Sequence, residues 1–208
     1  KIKNTILGYV TMKTLILMRH GRYAEDPQNK NIILCNQGIV EVFDISKKLS
    51  TEFNVNSIMY SPILRTTEAA FIAHQNMPKA KMQQTDWLME DYDNPSDKNG
   101  KGIETHLHKL DNKKDTVCLV THEPLIVKFM LYAGSKDSVR SYYSELMQDS
   151  SKSIREAIVF KFDVDKWEDI EKNIEQGIKT NFSVVEGNYS PQKLAEAYNK
   201  CSKLNISK

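Results

Sequence analysis

The sequence predicts an α/β fold, a three-layer α/β/α sandwich with a mostly parallel central sheet. Short apolar runs of strand length alternate with longer segments of helical periodicity, a pattern typical of a parallel sheet covered by helices on both faces. The chain has 208 residues, of which 40% are hydrophobic and 27% are charged. This is the composition of a globular protein, and the length suits one sizeable domain.

The first half of the chain predicts two strands, each followed by a helix. The strands are short apolar runs, which suit the buried core of a sheet. Asn36 is expected to cap the first helix, and apolar side chains at helical spacing between Val42 and Phe53 form its buried stripe. In chain order these elements are a strand at 14–18, a polar loop at 19–33, a helix from 36 to about 53, a strand at 57–60 and a helix from 64 to about 75.

The second half predicts three further strands. A long acidic loop with the turn-forming pairs Asn-Pro and Asn-Gly comes first. Pro124 is expected in the first turn of a helix, where a missing N–H costs no hydrogen bond. Ser190 and Pro191 are expected to open a final helix. In chain order the elements before it are a loop at 83–102, a helix at 102–110, a strand at 116–121, a helix from 124 to 132, a strand at 157–162, a helix at 167–179 and a strand at 182–185.

Two regions are expected within the chain. The alternating pattern occupies residues 12–165, which we predict to be the core domain. The pattern changes beyond Asp163, and we expect residues 166–208 to be a C-terminal extension packed on the same domain.

Composition excludes several classes of function. The 29 Lys and Arg nearly balance the 27 Asp and Glu, so we predict no nucleic-acid partner. The apolar runs are too short to span a membrane, and residues 1–10 do not resemble a secretory signal, so no membrane association is expected. Cys35, Cys118 and Cys201 are scattered and odd in number, which favours a reducing compartment, the cytoplasm. The oligomeric state stays open.

Three short motifs follow three of the predicted strands. Because the carboxyl ends of neighbouring parallel strands line the ligand crevice of an open α/β sheet, we expect the motifs to meet there. Together they bring two arginines and two histidines to one place. The motifs are Arg19-His20-Gly21, Ser61-Pro62-Ile63-Leu64-Arg65 and Thr121-His122-Glu123-Pro124.

This combination of residue types indicates a phosphoryl group as the ligand. The planar guanidinium of arginine matches phosphate oxygens with two hydrogen bonds. A neutral imidazole is a nucleophile, and a second, charged imidazole holds a phosphate oxygen. Gly21 allows close approach of the backbone, and the helix that follows His122 presents its N-terminal amides to an anion.

These motifs resemble those of the histidine phosphatase superfamily, also called phosphoglycerate mutase-like. The resemblance covers about residues 13–163 and implies a phosphoglycerate mutase-like fold. The short spacing between Arg65 and His122 makes the chain most similar to the compact SixA-type phosphohistidine phosphatases. The matching elements, in order, are Leu-Met-Arg19-His20-Gly21, Leu34-Cys-Asn-Gln-Gly38, Ser61-Pro62-x-x-Arg65-Thr66 with Ala69, and Thr121-His122-x-Pro124-Leu125.

The resemblance implies a phosphatase that uses His20 as nucleophile and passes through a phosphohistidine. Arg19, Arg65 and His122 would bind the phosphoryl oxygens, with Gly21 in the same pocket. Arg22 matches a position that carries a pocket residue in relatives, although a surface role is an equal alternative. No metal and no cofactor are expected. The implied partner is a phosphorylated small molecule or a phosphohistidine protein.

The proton donor to the leaving group has several candidates. Glu90 resembles a Leu-x-Glu element that relatives carry between the second and third motifs, and Asp91 and Asp93 are rivals. Glu123 resembles the acidic residue that follows the second histidine in the acid phosphatase and phytase branch. A phosphohistidine substrate needs no dedicated acid, because a protonated imidazole leaves readily.

Two other functions compete with the phosphatase. A phosphoglycerate mutase-like phosphotransferase would need room for a sugar acid, and the short segment between motifs argues against it. A catalytically silent phospho-binding domain would be free to lose its nucleophile, and the intact set of His20, Arg19, Arg65 and His122 argues against that.

Overall fold

The computed structural model describes residues 12–25, 32–89, 102–147 and 156–187. A six-stranded sheet lies at the centre of the described residues, with strand order β5-β4-β6-β1-β7-β8, and β2 and β3 form a separate two-stranded sheet. The strands are β1 (Met12–Arg19), β2 (Tyr23–Glu25), β3 (Ile32–Leu34), β4 (Ser57–Tyr60), β5 (Lys81–Gln84), β6 (Thr116–Thr121), β7 (Ala157–Asp163) and β8 (Phe182–Val185). The helices are α1 (Asn36–Glu52), α2 (Leu64–Asn76), α3 (Glu123–Ala133), α4 (Lys136–Met147) and α5 (Glu168–Glu175), with 3₁₀ helices at Asp86–Leu88 and Ile103–Lys109.

The predicted α/β class with a mostly parallel sheet is confirmed. Strands β5, β4, β6 and β1 pair in parallel, whereas β7 runs antiparallel between β1 and β8. In the shared register Arg19 lies opposite Thr121, and Tyr60 lies opposite Val120. The residues that follow β1, β4 and β6 therefore emerge side by side at one edge of the sheet.

Helices cover both faces of the sheet, as the three-layer prediction requires. Side chains alternate across β1, so Ile16 and Met18 pack towards α1 and α2, and Leu15 and Leu17 pack towards the opposite layer with Phe129 of α3. Trp167 is fully buried in this second layer, and its indole N–H donates to the Lys114 carbonyl at 2.9 Å. Among the described helices, none has the length and apolar character needed to cross a bilayer.

Several predicted details are wrong. Cys35, not Asn36, occupies the N-cap of α1, and its side chain makes no capping hydrogen bond, because the apolar stripe and not a cap fixes where this helix begins. The predicted loop at 19–33 contains β2 and the start of β3, and the loop at 83–102 begins inside β5. Strands of three or four residues are too short to show a period. The helix at 102–110 is a 3₁₀ helix, and α4 was not predicted because its sequence is mostly polar.

The C-terminal extension is described in part. Helix α5, shorter than the predicted 167–179, packs against the 3₁₀ helix at Ile103–Lys109, and β8 pairs with β7 at the predicted residues 182–185. The helix expected after Ser190 lies outside the described residues, and the division at 165 stays a prediction.

Candidate active site

The three motifs meet at the carboxyl edge of the sheet. The backbone N–H of His20 donates to the Thr121 carbonyl at 3.2 Å, and that of Ser61 donates to the Val120 carbonyl at 3.2 Å. His122 follows directly after β6. The strand pairing therefore continues past the strand ends and holds the three loops against one another.

His20 lies at the centre of this site and is 5% exposed. Its Nδ1 is 2.8 Å from the carbonyl oxygen of Gly21. Since a carbonyl oxygen only accepts hydrogen bonds, Nδ1 carries the proton and donates it. On the other side of the ring, Nε2 accepts a hydrogen bond from Arg65 Nε at 3.0 Å. The lone pair of Nε2 therefore faces the guanidinium, where an anion would bind.

Arg65 connects the two imidazoles. It is the second residue of α2, and its side chain is buried, with 7% exposed. Its Nη2 lies 3.3 Å from Nδ1 of His122, and Nε2 of His122 lies 3.1 Å from Oγ of Ser61. Because arginine only donates, Nδ1 of His122 accepts, and its Nε2–H donates to Ser61. The ring centroids of His20 and His122 are 5.4 Å apart.

Burial holds both histidines in their neutral forms at neutral pH. It lowers the pKa of His20 to about 3; the hydrogen bond to the Gly21 carbonyl opposes this effect, and the positive charges of Arg19 and Arg65 add to it. Burial, with the same two arginines, lowers the pKa of His122 to about 4. The lowered pKa of His122 does not agree with the charged form that was expected for the second histidine. A bound phosphate would favour it by supplying negative charge.

Arg19 lies beside the histidines and contacts Glu123. Its Nη1 is 3.2 Å from Oε2 of Glu123, and its side chain is 19% exposed. Its charge acts on both imidazoles. Glu123, a candidate proton donor, thus forms an ion pair with a guanidinium of the site and helps to hold Arg19 in place.

Arg22 is directed to α1 and not to His20 in its described contacts. Its Nε is 3.0 Å from Oε1 of the buried Glu41, and its Nη1 donates to Oε1 of Gln37 at 2.8 Å. Its backbone N–H donates to Oε2 of Glu41 at 3.0 Å. The structure thus gives Arg22 a bond that ties the loop after β1 to α1, and phosphate binding by Arg22 stays a prediction.

Two glycines allow this loop to lie directly on α1. A Cβ atom at Gly21 would overlap the Gly38 carbonyl, and one at Gly38 would overlap the Arg22 carbonyl. The glycine of the Leu34-x-x-x-Gly38 element is therefore required for a steric reason. Only a residue without a side chain in the first turn of α1 lets the backbone around His20 approach this closely.

The candidate proton donors Glu90, Asp91 and Asp93 lie outside the described residues. The described chain reaches Met89, one residue beyond Leu88. The Leu88 carbonyl accepts a hydrogen bond from Oγ1 of Thr121 at 2.9 Å, next to His122.

Three residues at the site had no individual role in the sequence analysis. Ser61 holds His122, and Glu41 holds Arg22. Tyr23 places a half-exposed ring beside His20 and Arg65. Ser61 could have been found from its motif, whereas no spacing signal marks the other two.

A recess opens beside His20. It has a volume of about 210 Å³ and lies between the loop residues 19–23 and the α1 side chains Glu41, Val42 and Ile45, whereas Arg65 and His122 do not line it. Within the described ranges, no group of three or more His, Cys, Asp or Glu is placed to hold a metal ion.

The chain resembles known proteins in its fold and not in its sequence. No family model and no curated protein matches the chain. A protein assigned as the phosphohistidine phosphatase SixA from Nakamurella multipartitia matches with a TM-score of 0.63 at 17% identity, over 86% of this chain and 98% of its own. The protein histidine phosphatase SixA complexed with tungstate matches with a TM-score of 0.58 at 15% identity, over 83% and 96% of the two chains.

A third match comes from a different phosphatase. A protein assigned as an α-ribazole-5′-P phosphatase from Escherichia coli K-12 has a TM-score of 0.52 at 13% identity, over 84% of this chain and 96% of its own. This chain has the histidine phosphatase fold. In this fold the candidate site lies at the carboxyl ends of β1, β4 and β6.

Proposed function

We propose that this protein is a metal-independent phosphatase that hydrolyses a phosphomonoester or a phosphohistidine through a phosphohistidine intermediate on His20. One observation carries the proposal. A buried guanidinium bridges two buried, neutral imidazoles, and one of these has its Nε2 lone pair directed at the guanidinium. This arrangement combines a nucleophile with donors for a tetrahedral anion.

The reaction has two steps. Nε2 of His20 attacks phosphorus and forms the N–P bond, while the bond from phosphorus to the leaving oxygen or nitrogen breaks and the leaving atom takes a proton. Water then attacks the phosphorus and loses a proton, and the electrons of the N–P bond return to Nε2. Arg19, Arg65 and His122 stabilise the charge on the phosphoryl oxygens in both steps, which is the main requirement of phosphoryl transfer.

The relatives in fold support the substrate class. One matched structure is SixA with tungstate, and tungstate is a tetrahedral oxyanion like phosphate. For a phosphomonoester we propose Glu90 as proton donor, since it lies two residues beyond Leu88, whose carbonyl is bonded to Thr121 next to His122. A phosphohistidine substrate would need no such acid.

The test compares phosphate release from a phosphohistidine peptide, p-nitrophenyl phosphate and sugar phosphates. His20→Ala should abolish turnover of all three because it removes the nitrogen proposed to attack phosphorus, while inorganic phosphate still binds. His108→Ala, which changes an exposed histidine outside the site, is the matched control and should keep wild-type rates. Turnover by His20→Ala at the wild-type rate would contradict the proposal.

The same assay identifies the proton donor. A preference for the phosphomonoesters that collapses in Glu90→Gln but not in Glu123→Gln supports Glu90. The rate contributed by a general acid is on the order of 10²–10⁴-fold.

A further inference from the structure

Tyr23 reaches from the buried site to the surface. Its ring centroid is 5.5 Å from that of His20, with an angle of 64° between the rings, and Cζ of Arg65 is 5.3 Å from the Tyr23 centroid. His20 and Arg65 are buried, whereas Tyr23 is 51% exposed. A substrate with its phosphoryl group at His20 would therefore extend towards solvent along this ring.

The backbone at Tyr23 is held in place by contacts with neighbouring elements. Tyr23 begins β2 and pairs with Leu34 of β3, and the Leu34 N–H donates to Oε2 of Glu68 on α2 at 2.7 Å. The preceding residue is anchored as well, since the Cys35 N–H donates to the Arg22 carbonyl at 3.0 Å and Glu41 holds the Arg22 side chain. The position of Tyr23 at the start of β2, beside His20, is thus fixed by backbone contacts.

An aromatic wall beside an anion site distinguishes leaving groups by shape. One side of the ring contacts the guanidinium of Arg65, and half of the side chain stays open to a ligand. A planar ring attached to the phosphoryl group can stack against this surface or meet its edge, whereas an acyclic alkyl chain offers no such contact.

We propose that Tyr23 is a specificity-determining residue that favours substrates whose phosphoryl group is attached to a planar ring, such as an aryl or imidazolyl phosphate. This proposal rests on the proposed function, because it assumes that the phosphoryl group binds at His20. The resemblance of the motifs does not include Tyr23.

The experiment measures binding apart from turnover. Phenylphosphonate and methylphosphonate, two analogues that cannot be hydrolysed, are titrated calorimetrically into wild type, Tyr23→Phe, Tyr23→Leu and Tyr23→Ala. We expect wild type to prefer phenylphosphonate by about threefold to tenfold, the usual range for an aromatic pair. Tyr23→Phe should keep this ratio, and Tyr23→Leu and Tyr23→Ala should lose it.

A matched control removes a comparable ring elsewhere. Phe71 on α2 is 52% exposed and lies against Tyr60. Phe71→Ala should keep the wild-type ratio of the two phosphonate affinities. A parallel assay should show the KM for p-nitrophenyl phosphate rising relative to that for glycerol 2-phosphate in Tyr23→Ala.

The outcomes separate this proposal from the proposed function. If Tyr23→Ala weakens both phosphonates equally, Tyr23 only supports Arg65, and the proposal is overturned. If phosphonates bind with the expected ratio but no substrate turns over, the phosphatase proposal fails and the role of Tyr23 stands. If neither phosphonate binds to wild type, both proposals fail.

Discussion

Among single residues, Arg65 has the largest influence on the geometry of the candidate site, because it contacts both histidines. It donates one hydrogen bond to each imidazole, so these bonds must be exchanged for bonds to phosphoryl oxygens when a substrate enters. A lysine could not replace it, because an ammonium group lacks the planar array of donors that reaches both rings and a bidentate anion. The guanidinium therefore keeps the proposed nucleophile aligned before a substrate would bind.

Acid should destabilise the protein through His20. Its pKa is 6.5 in its ordinary state and about 3 in the folded site. At a pH between these two pKa values, His20 is therefore protonated in the unfolded chain and neutral in the folded protein. The contribution of neutral His20 to the free energy of unfolding is fully present above pH 6.5. It is lost as the pH falls towards 3, and about 2 kcal/mol is lost at pH 5.

Urea unfolding at pH 7.5 and pH 5 checks this expectation. The buffer must be free of phosphate, because a bound anion would raise the pKa of the histidines. Wild type should lose about 2 kcal/mol more than His20→Asn between the two pH values. Acid effects on carboxylates are common to both proteins and cancel in the difference. Equal losses in the two proteins would contradict a buried, neutral His20.

The contact between two elements, the loop after β1 and the first turn of α1, can be tested by substituting Gly38. In a helix without this contact, Gly38→Ala would stabilise by about 1 kcal/mol through helix propensity. Here the new methyl group would overlap the Arg22 carbonyl, so we expect a loss of about 1–3 kcal/mol, together with lower activity because His20 shifts.

Thermal and urea unfolding measure the sign of this change. Ser50→Ala near the other end of α1 is the control, since it should leave both stability and activity close to wild type. A stabilised Gly38→Ala protein with full activity would show that the loop does not depend on this contact.

Elements with a strong pattern could be predicted from the sequence, and those held by tertiary contacts could not. Strand β4 and strand β6 were predicted at their observed bounds, because each is an apolar run ended by polar residues. The pair β2 and β3 depends on Glu68 of α2, which accepts the Leu34 N–H from far along the chain. The local sequence pattern around β2 and β3 does not indicate a contact with a residue so distant in the chain.

In the molecule as a whole, the C-terminal extension should unfold together with the core domain in one transition. Trp167 is fully buried, and Oδ1 of Asn112 accepts its backbone N–H at 2.8 Å. Trp167→Ala should cost about 3–5 kcal/mol and lower the midpoint of a single transition. Calorimetry with Ile178→Ala, an exposed change in the same segment, is the matched control.

Two separate transitions would contradict the proposed single domain with residues 166–208 packed on 12–165. A lowered single midpoint supports it, because removing one side chain from the extension would then weaken the core as well.

The position of the site followed from topology, whereas its finer contacts did not. Arg19 ends β1, and His20 follows it directly. His122 follows β6, and Arg65 lies in the first turn of α2 at the same sheet edge, so strand prediction alone brings these residues close. The ion pair of Arg22 with Glu41 and the ring of Tyr23 over Arg65 depend on side-chain directions that no spacing encodes. The proton donor depends on the segment after Met89, outside the described residues.

The acceptor that orients His20 is a peptide carbonyl, that of Gly21. No exchange of a side chain can delete this oxygen, so the tautomer of His20 does not depend on a neighbouring side chain as acceptor. Loss of this tautomer by single changes is therefore confined to His20 itself, to the guanidinium it faces, and to glycines whose enlargement would bend the main chain. Saturation mutagenesis of the loop should leave the tautomer intact wherever the backbone path survives.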